Sequence, residues 1–142
     1  MDLNNLVLDV DQHVEIKATP ETVFEGLLRR LSDRNTDPSN EPMPMRLERW
    51  PGGRWFRDLG EGTGHLWGFV QVIKPPRLLE IHGPLFMSYP AAGHIAFRVE
   101  PTANGSRLSL RHRVLGLIDE EHRKSVSVGW DHHLNSVKNE CE

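Results

Sequence analysis

The sequence predicts an α+β fold: a curved antiparallel sheet of seven strands wrapped around a long C-terminal helix, with a short helix after the first strand. Three observations carry this expectation. Residues 50–82 hold short apolar runs separated by Gly and Pro turns, the pattern of successive antiparallel strands. Residues 94–100 and 107–116 are two more such runs, joined by a segment containing Asn104-Gly105, a strong hairpin signal. After Asp119 the apolar residues recur at helical spacing to the end of the chain. One antiparallel sheet cannot bury its inner face alone, so the terminal helix must cover it.

The elements follow in order. In residues 10–17, Val10, Gln12, Val14 and Ile16 alternate with Asp11, His13, Glu15 and Lys17, as in a half-buried strand. Thr19-Pro20-Glu21 opens a helix: a capping hydroxyl, a proline at the first helical position and an acid at the positive end of the dipole. Val23, Phe24, Leu27, Leu28 and Leu31 then form one apolar stripe. Residues 32–44 are rich in Asp, Asn, Ser and Pro and read as a loop with room for one helical turn. Strands are expected near residues 45–50, 54–58, 64–73 and 78–82. They are parted by Pro51-Gly52-Gly53, by Gly60-Glu61-Gly62 and by Lys74-Pro75-Pro76-Arg77. Residues 83–92 are a looser segment with Phe86, Met87 and Tyr89. Asp119 caps the last helix, and Val126, Trp130, Leu134, Val137 and Cys141 make its stripe, interrupted by Gly129.

A chain of 142 residues fits one domain, spanning 1–142, around one core. A net charge of −3 gives no basic footprint for nucleic acid. Cys141 is the single cysteine, so no disulfide forms within the chain and no cysteine-based metal site exists. That usage suits a reducing, cytoplasmic compartment. The N-terminus has acids rather than a basic cluster, which excludes a signal peptide, and no apolar run reaches the ~18 residues that cross a bilayer.

Several stretches resemble a known superfamily. They are Val14-Glu-Ile-Lys-Ala-Thr-Pro-Glu-Thr-Val-Phe24, Pro51-Gly-Gly-Arg-Trp55, Gly68-Phe-Val-Gln-Val-Ile-Lys-Pro-Pro-Arg-Leu78, Gly105-Ser-Arg-Leu-Ser-Leu-Arg-His112 and Gly129-Trp130. Together they are similar to the START-like SRPBCC superfamily, in the branch of homologues of the activator of the 90-kDa heat-shock protein's ATPase. The resemblance implies the helix-grip fold and a deep cavity between sheet and terminal helix, with no fixed catalytic residue and no cofactor. The superfamily includes lipid carriers, hormone receptors, aromatic-polyketide cyclases and small bacterial proteins. The eukaryotic activator carries an additional domain. Two departures stand out: relatives often carry a second helix where residues 32–44 lie, and Asp131-His132-His133 replaces positions that are usually mixed polar and apolar.

The residue types suggest what such a cavity holds. Trp50, Trp55 and Trp67 are expected on adjacent strands and Trp130 on the helix stripe, either as a pocket wall or as core. Alternation with Leu108, Leu110 and Val114 puts His112 on the inner face, where it either meets a ligand or is satisfied by a neighbour. His94 points outward by the same count. His132 and His133 diverge by about 100° on a helix and do not share a metal ion easily. No nucleophile elbow is present. Cys141 is expected to fray with its terminus.

The expected ligand-binding residues are therefore Trp55, Trp67, Phe97, Leu110, His112, Val126 and Trp130, with no metal and no catalytic group assigned. The expected function is binding of a small hydrophobic or amphipathic molecule, without catalysis. Two alternatives stay open. One is a cyclase- or hydrolase-like enzyme on a polyketide-like or aromatic substrate, with His112 or His82 moving protons. The other is a co-chaperone-like module with a protein partner, which needs an exposed apolar patch around residues 85–89.

Overall fold

Alternation in the first apolar run produces β1 (Val7–Ile16), which follows a single 3-10 turn at Leu3–Leu6. A computed structural model of the chain describes residues 3–86 and 88–142; Met1, Asp2 and Met87 lie outside the described residues. The chain continues through α1 (Pro20–Leu31), β2 (Arg46–Leu47), β3 (Arg54–Gly60), β4 (Thr63–Lys74), β5 (Leu78–Gly83), β6 (Ala91–Thr102), β7 (Gly105–Gly116) and α2 (Glu120–Cys141). The strands form one antiparallel sheet in the order β1-β7-β6-β5-β4-β3-β2. The helix-grip architecture is thus present: a curved seven-stranded sheet, a short helix after the first strand and a long terminal helix.

The helices start where local chemistry dictates. Thr19 Oγ1 accepts from the Thr22 backbone N–H, Pro20 occupies the first turn, and the stripe from Val23 to Leu31 is buried. Asp119 Oδ1 accepts from the backbone N–H groups of Glu121 and His122. These bonds satisfy donors that a helix start leaves open.

Register slips at Trp55/Phe56 and Val70/Val72 lie in the β3–β5 half of the sheet. Such irregularities bend strands and increase their twist. The β1–β7–β6 half keeps an unbroken register. α2 packs on β1 and α1, and no comparable packing joins it to β3 or β4 among the described residues. That asymmetry opens space on one side of the helix.

Three local expectations are corrected. The strand expected at residues 45–50 shrinks to Arg46–Leu47, because Glu48 turns aside to take Arg54. Its carboxylate accepts from the Arg54 backbone N–H and Nε at 2.8 Å and from Nη2 at 2.9 Å. Trp50 therefore sits in the following turn, 56% exposed, rather than on a strand beside Trp55. Residues 32–44 contain turns and one isolated bridge, Thr36 with Pro42, with no helix. Cys141 does not fray: it is the last residue of α2, half-buried against Gly26 of α1.

Candidate functional site

A cavity of about 360 Å³ lies where α2 stands away from β3 and β4. Trp55 and Trp67 form its sheet wall and meet edge to face, ring centroids 5.0 Å apart. Trp55 is fixed from behind, its Nε1–H donating to the Leu31 carbonyl at 2.7 Å. This bond also occupies a carbonyl at the end of α1, where helical partners run out. Phe86, from the segment after β5, closes one end and packs edge-on to Trp67 at 5.9 Å. Val126, Gly129 and Trp130 line the helix side, and a Cβ on Gly129 would meet nothing within 4 Å. The remaining wall comes from the irregular residues 35–38 and Met43. Asn35 anchors that wall: its Nδ2 donates to the Met43 carbonyl at 3.0 Å, and its own carbonyl accepts from Met43 N–H at 2.8 Å.

The polar groups stand at the rim. His132 Nε2 lies 3.3 Å from Thr36 Oγ1, and His122 Nδ1 lies 3.0 Å from the Tyr89 hydroxyl. An apolar interior with a few polar groups at its edge is the usual build of a small-molecule site.

Trp55, Trp67, Val126 and Trp130 of the expected residues thus share this cavity. Phe97, Leu110 and His112 do not reach its wall: α1 packs on β6 and β7, all three side chains are buried, and Phe97 and His112 lie against Trp130 with ring centroids 6.0 and 5.7 Å away. His112 is held there by a specific bond. Trp130 Nε1–H donates to His112 Nδ1 at 3.0 Å, so the neutral ring carries its proton on Nε2. Burial, with a smaller effect of His94, pushes the His112 pKa down to about 4.

The sequence model of the family described as Activator of Hsp90 ATPase homolog 1-like protein matches residues 17–142. The chain belongs to this family. No functionally curated protein matches the sequence. Among solved structures, a protein of Rhizobium leguminosarum superposes with a TM-score of 0.73 at 15% identity, covering 95% of this chain and 94% of that one. A protein of Chromobacterium violaceum gives 0.73 at 16% identity, over 94% and 96% of the two chains. The di-domain ARO/CYC protein StfQ of the steffimycin biosynthetic pathway gives 0.69 at 15% identity, over 98% of this chain and 52% of that one. At these identities the likeness is one of fold.

Other histidines of this member of the Hsp90-activator-homologue family separate by face. His82 and His65 are exposed, away from the cavity, so His82 is not placed for the proton transfer envisaged for it. His94 faces outward as expected and meets Glu80 Oε1 at 2.8 Å. Among the described residues no group of three His, Cys, Asp or Glu side chains is arranged to hold a metal ion. The apolar patch expected at residues 85–89 is not formed by the part described: Leu85 is buried and Phe86 faces the cavity, while Met87 lies outside the described residues.

His133 went unrecognised as part of the wall. It is 8% exposed, its Nε2–H donates to the Arg30 carbonyl at 3.2 Å, and burial pushes its pKa down to about 4. Its distance of three residues from Trp130 is the signal that places both on one helix face.

Proposed function

We propose that this chain binds a small hydrophobic or amphipathic molecule between the β3–β4 wall, residues 35–43 and α2, without converting it. The cavity of about 360 Å³ bounded by Trp55, Trp67, Phe86 and Trp130 carries the reading. Its volume falls in the range of small-molecule sites, roughly 300–1,000 Å³, and its interior is mostly aromatic and aliphatic. Family membership agrees, since this fold commonly holds apolar ligands in the corresponding space. The binding residues are then Trp55, Trp67, Phe86, Val126 and Trp130, with His112, Phe97 and Leu110 supporting them from behind.

A reaction in the manner of a cyclase finds less support. The buried His112 is already engaged by the Trp130 indole, and its lowered pKa makes it a weak base.

Tryptophan fluorescence tests the reading directly. Titration with a panel of medium-chain fatty acids, alcohols and bicyclic aromatics is expected to give saturable quenching or a blue shift. Gly129→Leu places a branched side chain in the open space beside Trp130 and should abolish the response while leaving the folded circular-dichroism spectrum unchanged. A flat titration across the whole panel would remove the proposal. So would unaltered binding by a folded Gly129→Leu protein.

A further inference from the structure

We infer that the ligand carries a carboxylate, held at the cavity mouth by Arg30, Thr36 and His132. The inference rests on the cavity reading above and narrows its ligand class from amphipathic molecules to amphipathic acids.

The reason is a cation without an anion. Arg30 lies in the last turn of α1 with its side chain half-buried. Its Nη2 donates to Thr36 Oγ1 at 2.9 Å, and the same oxygen lies 3.3 Å from His132 Nε2. Thr36 and His132 both line the cavity. The end of α1, the irregular segment that follows it and α2 thus bring a guanidinium, a hydroxyl and an imidazole together, the last two in the cavity wall and Arg30 joined to that wall through Thr36. Arg29 and Arg34, close by in sequence, both reach Glu140, at 4.0 and 2.8 Å. Arg30 has no carboxylate oxygen within 4.0 Å among the described residues, and its buried Nε has no hydrogen-bond partner.

A guanidinium offers five N–H donors in a planar fork that matches the two oxygens of a carboxylate. Here one neutral oxygen answers that fork. A half-buried charge keeps much of its desolvation penalty until an opposite charge arrives. The acid that shares the mouth, Asp37, is already engaged elsewhere, because its Oδ1 accepts from the backbone N–H groups of Ser39 and Glu41, each at 2.9 Å. An incoming acid would lay its apolar body against Trp55, Trp67 and Trp130 and leave its carboxylate at the Arg30–Thr36–His132 edge.

The experiment compares an acid with its uncharged isostere: phenylbutanoate against phenylbutanamide, by isothermal titration calorimetry near neutral pH and low salt. The wild-type protein should bind the acid about tenfold or more tighter than the amide. Arg30→Gln should erase the difference and leave amide affinity unchanged, which also reports that the cavity remains formed. Arg30→Lys should restore part of the preference, since it returns the charge without the fork. Thr36→Val should lower acid affinity. Equal affinity for acid and amide in the wild type overturns the carboxylate inference and leaves the cavity reading standing. So does a preference that survives Arg30→Gln. Failure of both compounds and of the wider panel to bind overturns the cavity reading itself.

Discussion

Trp130 links the cavity to the core through two faces of one side chain. Its ring lines the space, and its Nε1–H donates inward to His112. Trp130→Phe keeps an aromatic at the wall and removes the donor, leaving buried His112 Nδ1 without a partner. An unsatisfied buried acceptor costs about 1–3 kcal/mol, so the urea midpoint should fall accordingly. An unchanged midpoint would show that the bond contributes nothing. The place of Trp130 on the inner face was legible, because helical spacing states which face a residue occupies. The bond to His112 was not, since spacing says nothing of which atoms meet. His133 escaped for a related reason. The steps from Val126 through Trp130, His133 and Val137 are as helical as the apolar stripe, but a stripe followed through apolar residues alone passes over a buried imidazole.

The crossing of α1 and α2 turns on one glycine. A Cβ at Gly26 would overlap Cys141 Sγ, the nearest atom on the facing helix. Intrinsic propensity favours alanine over glycine in a helix by about 1 kcal/mol, and overpacking opposes it by typically 1–3 kcal/mol. Gly26→Ala is therefore expected to lower the thermal midpoint, and the double variant with Cys141→Gly to regain it. A single variant more stable than wild type would show that the helices separate at no penalty. Both helix starts were legible from Thr19-Pro20-Glu21 and Asp119, since capping is settled within four residues. β2 was overestimated because its end is decided by Glu48 reaching Arg54, a charge pairing that apolar alternation does not record. Residues 32–44 were legible as irregular, yet their service as a wall was not, because a loop's path depends on anchors such as Asn35.

For the whole molecule, two buried neutral histidines set the response to acid. His112 and His133 both have folded-state pKa values pushed down by burial to about 4, from an ordinary 6.5. The unfolded chain therefore binds protons that the folded one refuses. Stability is full above about pH 6.5, declines as pH falls toward about 4, and gains no further loss from these groups below that. The urea midpoint measured from neutral pH down to pH 4 should drop, and His133→Leu should flatten the decline. A midpoint constant across that window would contradict the burial of both rings. In stronger acid Glu48 and Asp9 take over. Hydrogen bonds from Arg54 and Arg111 hold their carboxyls below the usual range, and their contribution is lost as those carboxyls protonate. The seven-strand order was legible because each turn announces itself locally. The space beside α2 was expected from the resemblance to the superfamily, and it accords with the geometry of a bent sheet that does not touch a straight helix along its whole width.

One boundary of that space is an irregular stretch pinned by an asparagine, a two-residue bridge and an aspartate that collects backbone N–H groups. Those bonds are internal to the stretch, and among the described residues no strand ladder joins residues 35–43 to the sheet. Its side chains meet the helices, through Thr36 with Arg30 and His132, rather than the strands. Exchanging that stretch would therefore rebuild one wall of the cavity while the sheet order stays as it is, and under the proposed function it is the segment whose replacement should change ligand preference most.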